Sequence, residues 1–141
     1  MAKRQEEKVL AAALASEDGD SIARLAEGYY YGRGREKSLR AALQLWERAA
    51  ALGNAEAQYY RGVCCFYGDG VPRDKEAAFY LWERAAEQGH PDAQCNCGTF
   101  YFNGQGTERD REKAKFWFGK AAAQGDEFAK QVLAEQFQEE G

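Results

Sequence analysis

The chain repeats itself every 36 residues, and a period of that length means stacked units, none of which can bury its apolar face alone. Gly-x-Gly occurs at Gly32/Gly34, Gly68/Gly70 and Gly104/Gly106. Ala49-Ala50, Ala85-Ala86 and Ala121-Ala122 keep the same spacing, as do Gly53, Gly89 and Gly125 and the aromatic series Trp46, Trp82 and Phe118. Blocks 19–54 and 55–90 are identical at 12 of 36 positions, and blocks 55–90 and 91–126 at 14, with no insertion anywhere. The 141 residues therefore divide into an N-terminal helix (3–18), repeat 1 (19–54), repeat 2 (55–90), repeat 3 (91–126) and a partial repeat with a cap (127–141). Together they are expected to make a single repeat domain over 1–141.

The amino-acid composition fixes what those units are made of. Only seven residues are Val, Ile or Thr, too few for a β-sandwich or a buried parallel sheet. Against them stand 25 alanines and 19 aromatics, with just 14 Val, Ile and Leu. That mixture suits helices in close contact at alanine, with aromatic side chains plugged between them.

Each block predicts two helices. The first starts behind Asp18, Asn54, His90 or Asp126, one slot of the period in which Asp and Asn are strong N-caps. Pro91 follows at the first helical position, where a missing N–H costs nothing. This helix stops at the first glycine of Gly-x-Gly. The second begins behind Ser38, Asp74 or Asp110 and runs to Gly53, Gly89 or Gly125. Residues 127 to about 138 start a fourth block, and the polar run from Gln136 to Gly141 is expected to act as a solubilising cap for the open end.

These residues carry a family resemblance. The stretch from Ala55 through Gly68-Asp69-Gly70 and Trp82-Glu-Arg-Ala-Ala to Gly89 resembles a Sel-1-like repeat, a relative of the tetratricopeptide repeats. The likeness covers 19–126 fully and 127–138 in part. It implies an all-α fold, an α/α superhelix in which helix pairs stack into a right-handed solenoid. It also implies a non-catalytic adaptor or scaffold that holds a partner protein or peptide in the groove. Some bacterial members of the family are dedicated inhibitor or immunity-type proteins that hold one enzyme, which is the alternative reading.

Within that frame, one stripe of the first helices does not repeat. Positions recurring at helical spacing read Asp20, Arg24, Glu27 and Tyr31, then Glu56, Tyr60, Val63 and Tyr67, then Asp92, Asn96, Thr99 and Asn103. A surface free to vary on a regular scaffold is a surface free to specialise, and Tyr and Arg make good interface anchors. The expected partner-binding residues are therefore Arg24, Glu27, Tyr31, Tyr60, Val63, Tyr67, Asn96, Thr99 and Asn103. Arg61, in a slot otherwise held by Leu25, Cys97 and Leu133, is expected to snorkel. Arg33, Arg35, Lys37 and Arg40 make the first inter-helix loop basic and suited to steering an acidic partner.

Other function classes fit poorly. A cysteine-rich branch of the family is linked to penicillin binding, but its cysteines stand eight apart across the repeat junction, where this chain has Ala86 and Gln94. No Ser-x-x-Lys occurs, and a single histidine supplies no conventional nucleophile–base set. A cell-wall or β-lactam hydrolase is thus the weakest alternative, and no enzyme is expected. The Gly-x-Gly loops lack the third glycine and the strand that dinucleotide binding needs, so no cofactor is expected. Cys95 and Cys97, two apart on one helix, point nearly opposite ways and make a poor metal grip. Buried free thiols are the simplest reading of the four cysteines, with a Cys64–Cys97 bridge as the alternative. With 19 basic and 23 acidic residues there is no footprint for nucleic acid. No apolar run reaches membrane-spanning length. Glu6 and Glu7 spoil the basic end of a signal peptide, so a cytoplasmic protein, monomeric or weakly self-associating, is expected.

Overall fold

The computed structural model describes residues 2–138. They form eight α-helices: α1 (Ala2–Ala15), α2 (Gly19–Tyr31), α3 (Leu39–Ala51), α4 (Ala55–Tyr67), α5 (Lys75–Glu87), α6 (Pro91–Asn103), α7 (Arg111–Ala123) and α8 (Glu127–Gln136). There is no strand among the described residues. The chain divides into two compact units, residues 1–61 and 62–141, and the division falls inside α4.

The helix ends are where the sequence placed them, because each is set by local chemistry. Ser21, Ala57, Ala93 and Ala129 donate their backbone N–H groups to the side chains of Asp18, Asn54, His90 and Asp126. Ala41, Ala77 and Lys113 do the same to Ser38, Asp74 and Asp110. Two of the first helices, α2 and α6, end on Gly32 and Gly104 in the left-handed conformation (φ 72° and 68°) that favours glycine. A further bond closes each turn: Ser38 N–H to Tyr29 O, Asp74 to Cys65 and Asp110 to Tyr101, all at 2.8–2.9 Å.

Packing then follows the period. In unit 1, α2 packs on α3, and α1 lies against both. In unit 2, α5 packs on α6, α6 on α7 and α7 on α8. Ala42, Ala49, Ala57, Ala78, Ala85, Ala93, Ala114, Ala121 and Ala129 are completely buried. Beside them lie Trp46, Trp82 and Phe118, at most 4% exposed. Small residues in the facing slot make room for these rings. A Cβ on Gly62 would come within 2.4 Å of Trp82 Nε1, and one on Gly98 within 2.8 Å of Phe118.

The C-terminal tail departs from expectation. Phe137 lies in the run taken for a polar cap, yet it is 3% exposed. Its ring meets Phe102 edge-on at 5.9 Å, and the Arg111 guanidinium sits 4.5 Å above it. The register explains this: Phe137 holds the slot of Tyr29, Cys65 and Tyr101, so the fourth block is still in phase there. The rest of the predicted cap, beyond Gln138, lies outside the described residues.

Candidate functional site

In unit 1, the stripe of the first helices rests on an aromatic stack. Trp46 of α3 is fully buried, and the ring of Tyr60 lies parallel to it at 4.6 Å with 6° between planes. Tyr30 tilts against both, and Tyr31 meets Tyr30 edge-on at 4.9 Å. The hydroxyls of Tyr31 and Tyr60 share a hydrogen bond at 3.1 Å. Burial, and then that bond to Tyr31, push the Tyr60 phenol well above its ordinary range, so it is neutral. Arg24 and Tyr31 are exposed beside it, Glu27 half-buried. Arg24 donates to the Ser21 hydroxyl at 3.3 Å, and Arg33 lies 4.5 Å over the Tyr31 ring. The indole N–H of Trp46 is buried without a hydrogen-bond partner. Thus unit 1 brings Arg24, Glu27, Tyr31 and Tyr60 to one surface whose tyrosines are held from below.

In unit 2, Tyr67 meets Phe66 edge-on at 4.9 Å, as Tyr31 meets Tyr30, but the slot of Tyr60 holds Asn96. Tyr67 and Asn103 are exposed, while Val63, Asn96 and Thr99 are half-buried. Thr99 spends its hydroxyl on the Cys95 carbonyl at 3.2 Å, one turn back. Beneath, the packing is phenyl on indole: Phe100 meets Trp82 at 5.2 Å and 80°, and Phe66 lies tilted 5.7 Å from Trp82.

All four cysteines are free thiols, Cys64 and Cys97 buried and Cys65 and Cys95 half-buried. Burial, aided by the Asp126 carboxylate, pushes the Cys95 thiol up to about 12. Burial raises Cys97 as well, with Glu83 and Glu87 adding to the effect. Thiols so far from ionisation are poor nucleophiles and poor metal ligands. No group of three or more His, Cys, Asp or Glu that could hold a metal ion occurs among the described residues. Arg61 is half-buried, as a snorkelling side chain should be.

A second arrangement, unforeseen from the sequence, joins one tyrosine slot to a carboxylate and a cation in both units. Tyr29 donates its hydroxyl to Glu6 Oε2 at 2.8 Å, and Arg35 pairs with the same oxygen at 3.0 Å while lying 5.0 Å over the ring. Tyr101, two periods on, donates to Glu83 Oε2 at 2.8 Å, with Lys113 Nζ 5.5 Å over its ring. Each trio borders a cavity, about 700 Å³ beside Tyr29 and about 810 Å³ beside Tyr101. The shared slot of Tyr29 and Tyr101 was a readable signal. The carboxylates come from neighbouring helices at unrelated slots, so the trios were not. The predicted basic loop is thereby partly spent, since Arg35 is committed to Glu6 and Tyr29.

Comparison with known proteins agrees with this architecture. The Sel1 repeat family matches at residues 19–54, 55–90 and 91–126. A Sel1 repeat protein from Oxalobacter formigenes superposes with a TM-score of 0.82 at 36% identity, covering 92% of this chain and 98% of that one. A protective antigen of uropathogenic Escherichia coli strains with an SLR fold, c5321, gives 0.79 at 32% identity, covering 89% of this chain. This chain spans only 27% of that antigen. Cysteine-rich protein B of Helicobacter pylori gives 0.71 over 94% of this chain and 98% of that one, at 18% identity, a likeness of fold alone. No curated protein sequence matches the chain. No helix among the described residues is long and apolar enough to cross a membrane. With three consecutive repeats matched and an all-α fold of stacked helix pairs, the chain belongs to the Sel1 repeat family.

Proposed function

We propose that this chain is a non-catalytic interaction module that binds a partner protein or peptide along the first-helix stripe, in the groove that such solenoids present. Sel1 repeats are in general protein-interaction modules, and the finer assignment rests on one observation. Tyr60 stacks on the buried Trp46 ring and shares a hydroxyl–hydroxyl bond with Tyr31, which leans edge-on against Tyr30, and Arg24 and Glu27 lie on the same stripe. Rigid aromatic groups with a polar tip lose little conformational freedom on binding, which makes them effective anchors. In unit 2, Tyr67, 65% exposed, and Asn96, Thr99 and Asn103 hold the corresponding positions of the stripe. Four free thiols suit a reducing compartment such as the cytoplasm.

The test must avoid Tyr60, whose removal would strip the face of Trp46. Tyr31→Ala with Tyr67→Ala removes two exposed rings instead. Affinity capture from the native cell with this variant is expected to lose the partner retained by the wild type. Equal recovery of the partner, with an unchanged melting temperature, would overturn the assignment of the stripe.

A further inference from the structure

The second helices of unit 2 carry a pattern that α3 of unit 1 lacks. On α5, Glu76, Tyr80 and Arg84 follow one another at four-residue spacing, and on α7 Glu112, Phe116 and Lys120 hold the same three slots. Four residues advance an α-helix by about 6 Å and return close to the same face, so each row stands on one side of its helix. All six residues are exposed. Their rings are large for such a position: Tyr80 is 58% exposed and Phe116 54%. In α3 the same slots hold Arg40, Gln44 and Arg48, and Arg48 donates to the Ser16 carbonyl.

Each row is ordered within itself. Arg84 donates to the Tyr80 hydroxyl at 3.1 Å and lies 5.7 Å over its ring, and Lys120 Nζ lies 5.5 Å over the Phe116 ring. The base thus stands against the ring on one side, and the acid lies one turn away on the other. Both helices pack on α6 and wall the same 810 Å³ cleft, so the rows run side by side, acid beside acid and base beside base. A face that reads acid, ring, base in one direction reads base, ring, acid when turned end for end. That is the self-complementarity an isologous contact requires.

From this we infer that the outer face of α5 and α7 docks a second copy of the chain, about a two-fold axis that crosses both helices at the level of the rings. Helix α5 then lies antiparallel on α5 of the second copy, and α7 on α7. Tyr80 meets Tyr80 and Phe116 meets Phe116, while Glu76 faces Arg84 of the second copy and Glu112 faces its Lys120. A two-fold axis parallel to the helices would set acid on acid and base on base, which repulsion disfavours. Rings at the centre and charges at the edge are the usual anatomy of a protein interface. The face is smaller than a standard interface, so the dimer is weak and fills only at high concentration. The stripe lies on the first helices, so this inference does not rest on the function proposed above.

Sedimentation equilibrium of the full chain, from about 10 μM to about 1 mM, is expected to show a reversible monomer–dimer equilibrium. Glu76→Lys with Glu112→Lys turns both rows into base, ring, base. It should weaken the dimer by about tenfold or more, because four attractive pairs become repulsive. Arg84→Glu with Lys120→Glu should weaken it as much. Mixing these two variants should restore a dimer containing one chain of each, and the variant with all four reversals should dimerise as the wild type does. Tyr31→Ala with Tyr67→Ala should change nothing. The proposal is overturned if the wild type stays monomeric throughout, if the paired reversals dimerise as well as the wild type, or if the mixture fails to pair. Growth beyond two copies would overturn the two-fold arrangement, since an isologous contact closes at a dimer.

Discussion

The two units use the same slots to make different surfaces. In unit 1 the ring slot holds Trp46, the small slot beneath it Ala26, and the stripe supplies Tyr60 to cover the indole. In unit 2 the ring slots hold Trp82 and Phe118, the small slots Gly62 and Gly98, and Phe66 and Phe100 flank the Trp82 indole. The first solution lays a tyrosine ring with its hydroxyl over the indole, whereas the same slot in unit 2 holds Asn96 and phenyl rings meet the indole instead. Charge divides the same way: residues 1–61 carry ten basic and nine acidic groups, residues 62–141 nine and fourteen. Caps and alanine contacts are shared by both units, so the scaffold is maintained by one set of positions and surface chemistry is set by another. That separation is what lets a repeat protein change partners without changing fold.

The sharpest way to break the comparison is to remove the rings. Trp46→Ala and Trp82→Ala should each cost about 3–5 kcal/mol in chemical denaturation. Only Trp46→Ala should also free the Tyr60 ring, seen as loss of the Tyr31–Tyr60 hydroxyl contact in NMR. Equal behaviour of Tyr60 in both variants would contradict its role as a ring held by the indole.

Next in size are the small slots. Gly98→Ala gains about 1 kcal/mol of helix propensity, but its Cβ would sit 2.8 Å from the Phe118 ring. Overpacking of this kind costs about 1–3 kcal/mol, so a net loss is expected. Gly62→Ala should lose more, since the contact with Trp82 is closer at 2.4 Å. A stabilised Gly62→Ala would show that the rings yield freely. Smaller again are the tyrosine–carboxylate bonds: Tyr29→Phe and Tyr101→Phe should each cost about 1 kcal/mol, the worth of one hydrogen bond. Nearly equal losses in the two units would support the trio as one recurring device.

The smallest effect is on titration. Tyr60 and Tyr101 are held neutral in the fold, both by burial first, with phenol affinities for the proton above the ordinary value of 10.0. The unfolded chain therefore releases its protons first as pH rises. Stability from these groups is intact below pH about 10 and is lost above it. The urea midpoint should hold up to pH about 10 and fall as pH rises above it, and Tyr60→Phe should reduce that fall. At pH 8, Cys95 and Cys97 should resist alkylation in the folded protein and react fully once it is unfolded, measured by intact mass.

Much of this was legible in the residues. The 36-residue spacing gave the helix pairs, and Asp18, Ser38, Asn54, Asp74, His90, Asp110 and Asp126 marked seven helix starts. Capping is a contact between residues three apart, so sequence carries it whole. Phe137 was misassigned because the polar residues around it were weighed above its slot. The stripe was visible as the positions that fail to repeat, but the stacking of Tyr60 on Trp46 was not. Nothing local places Tyr60 over Trp46, fourteen residues away on another helix.

By itself, then, the sequence determined the secondary structure, the repeat family and the residues that fill the core. Each of these depends on short-range chemistry or on a pattern copied three times. Only the tertiary structure decided which tyrosines stack, which carboxylates accept their hydroxyls, and that α5 and α7 leave a cleft lined by Phe116 and Trp117. Those features depend on side chains from different helices meeting at slots outside the period, and such meetings are set by packing rather than by spacing along the chain.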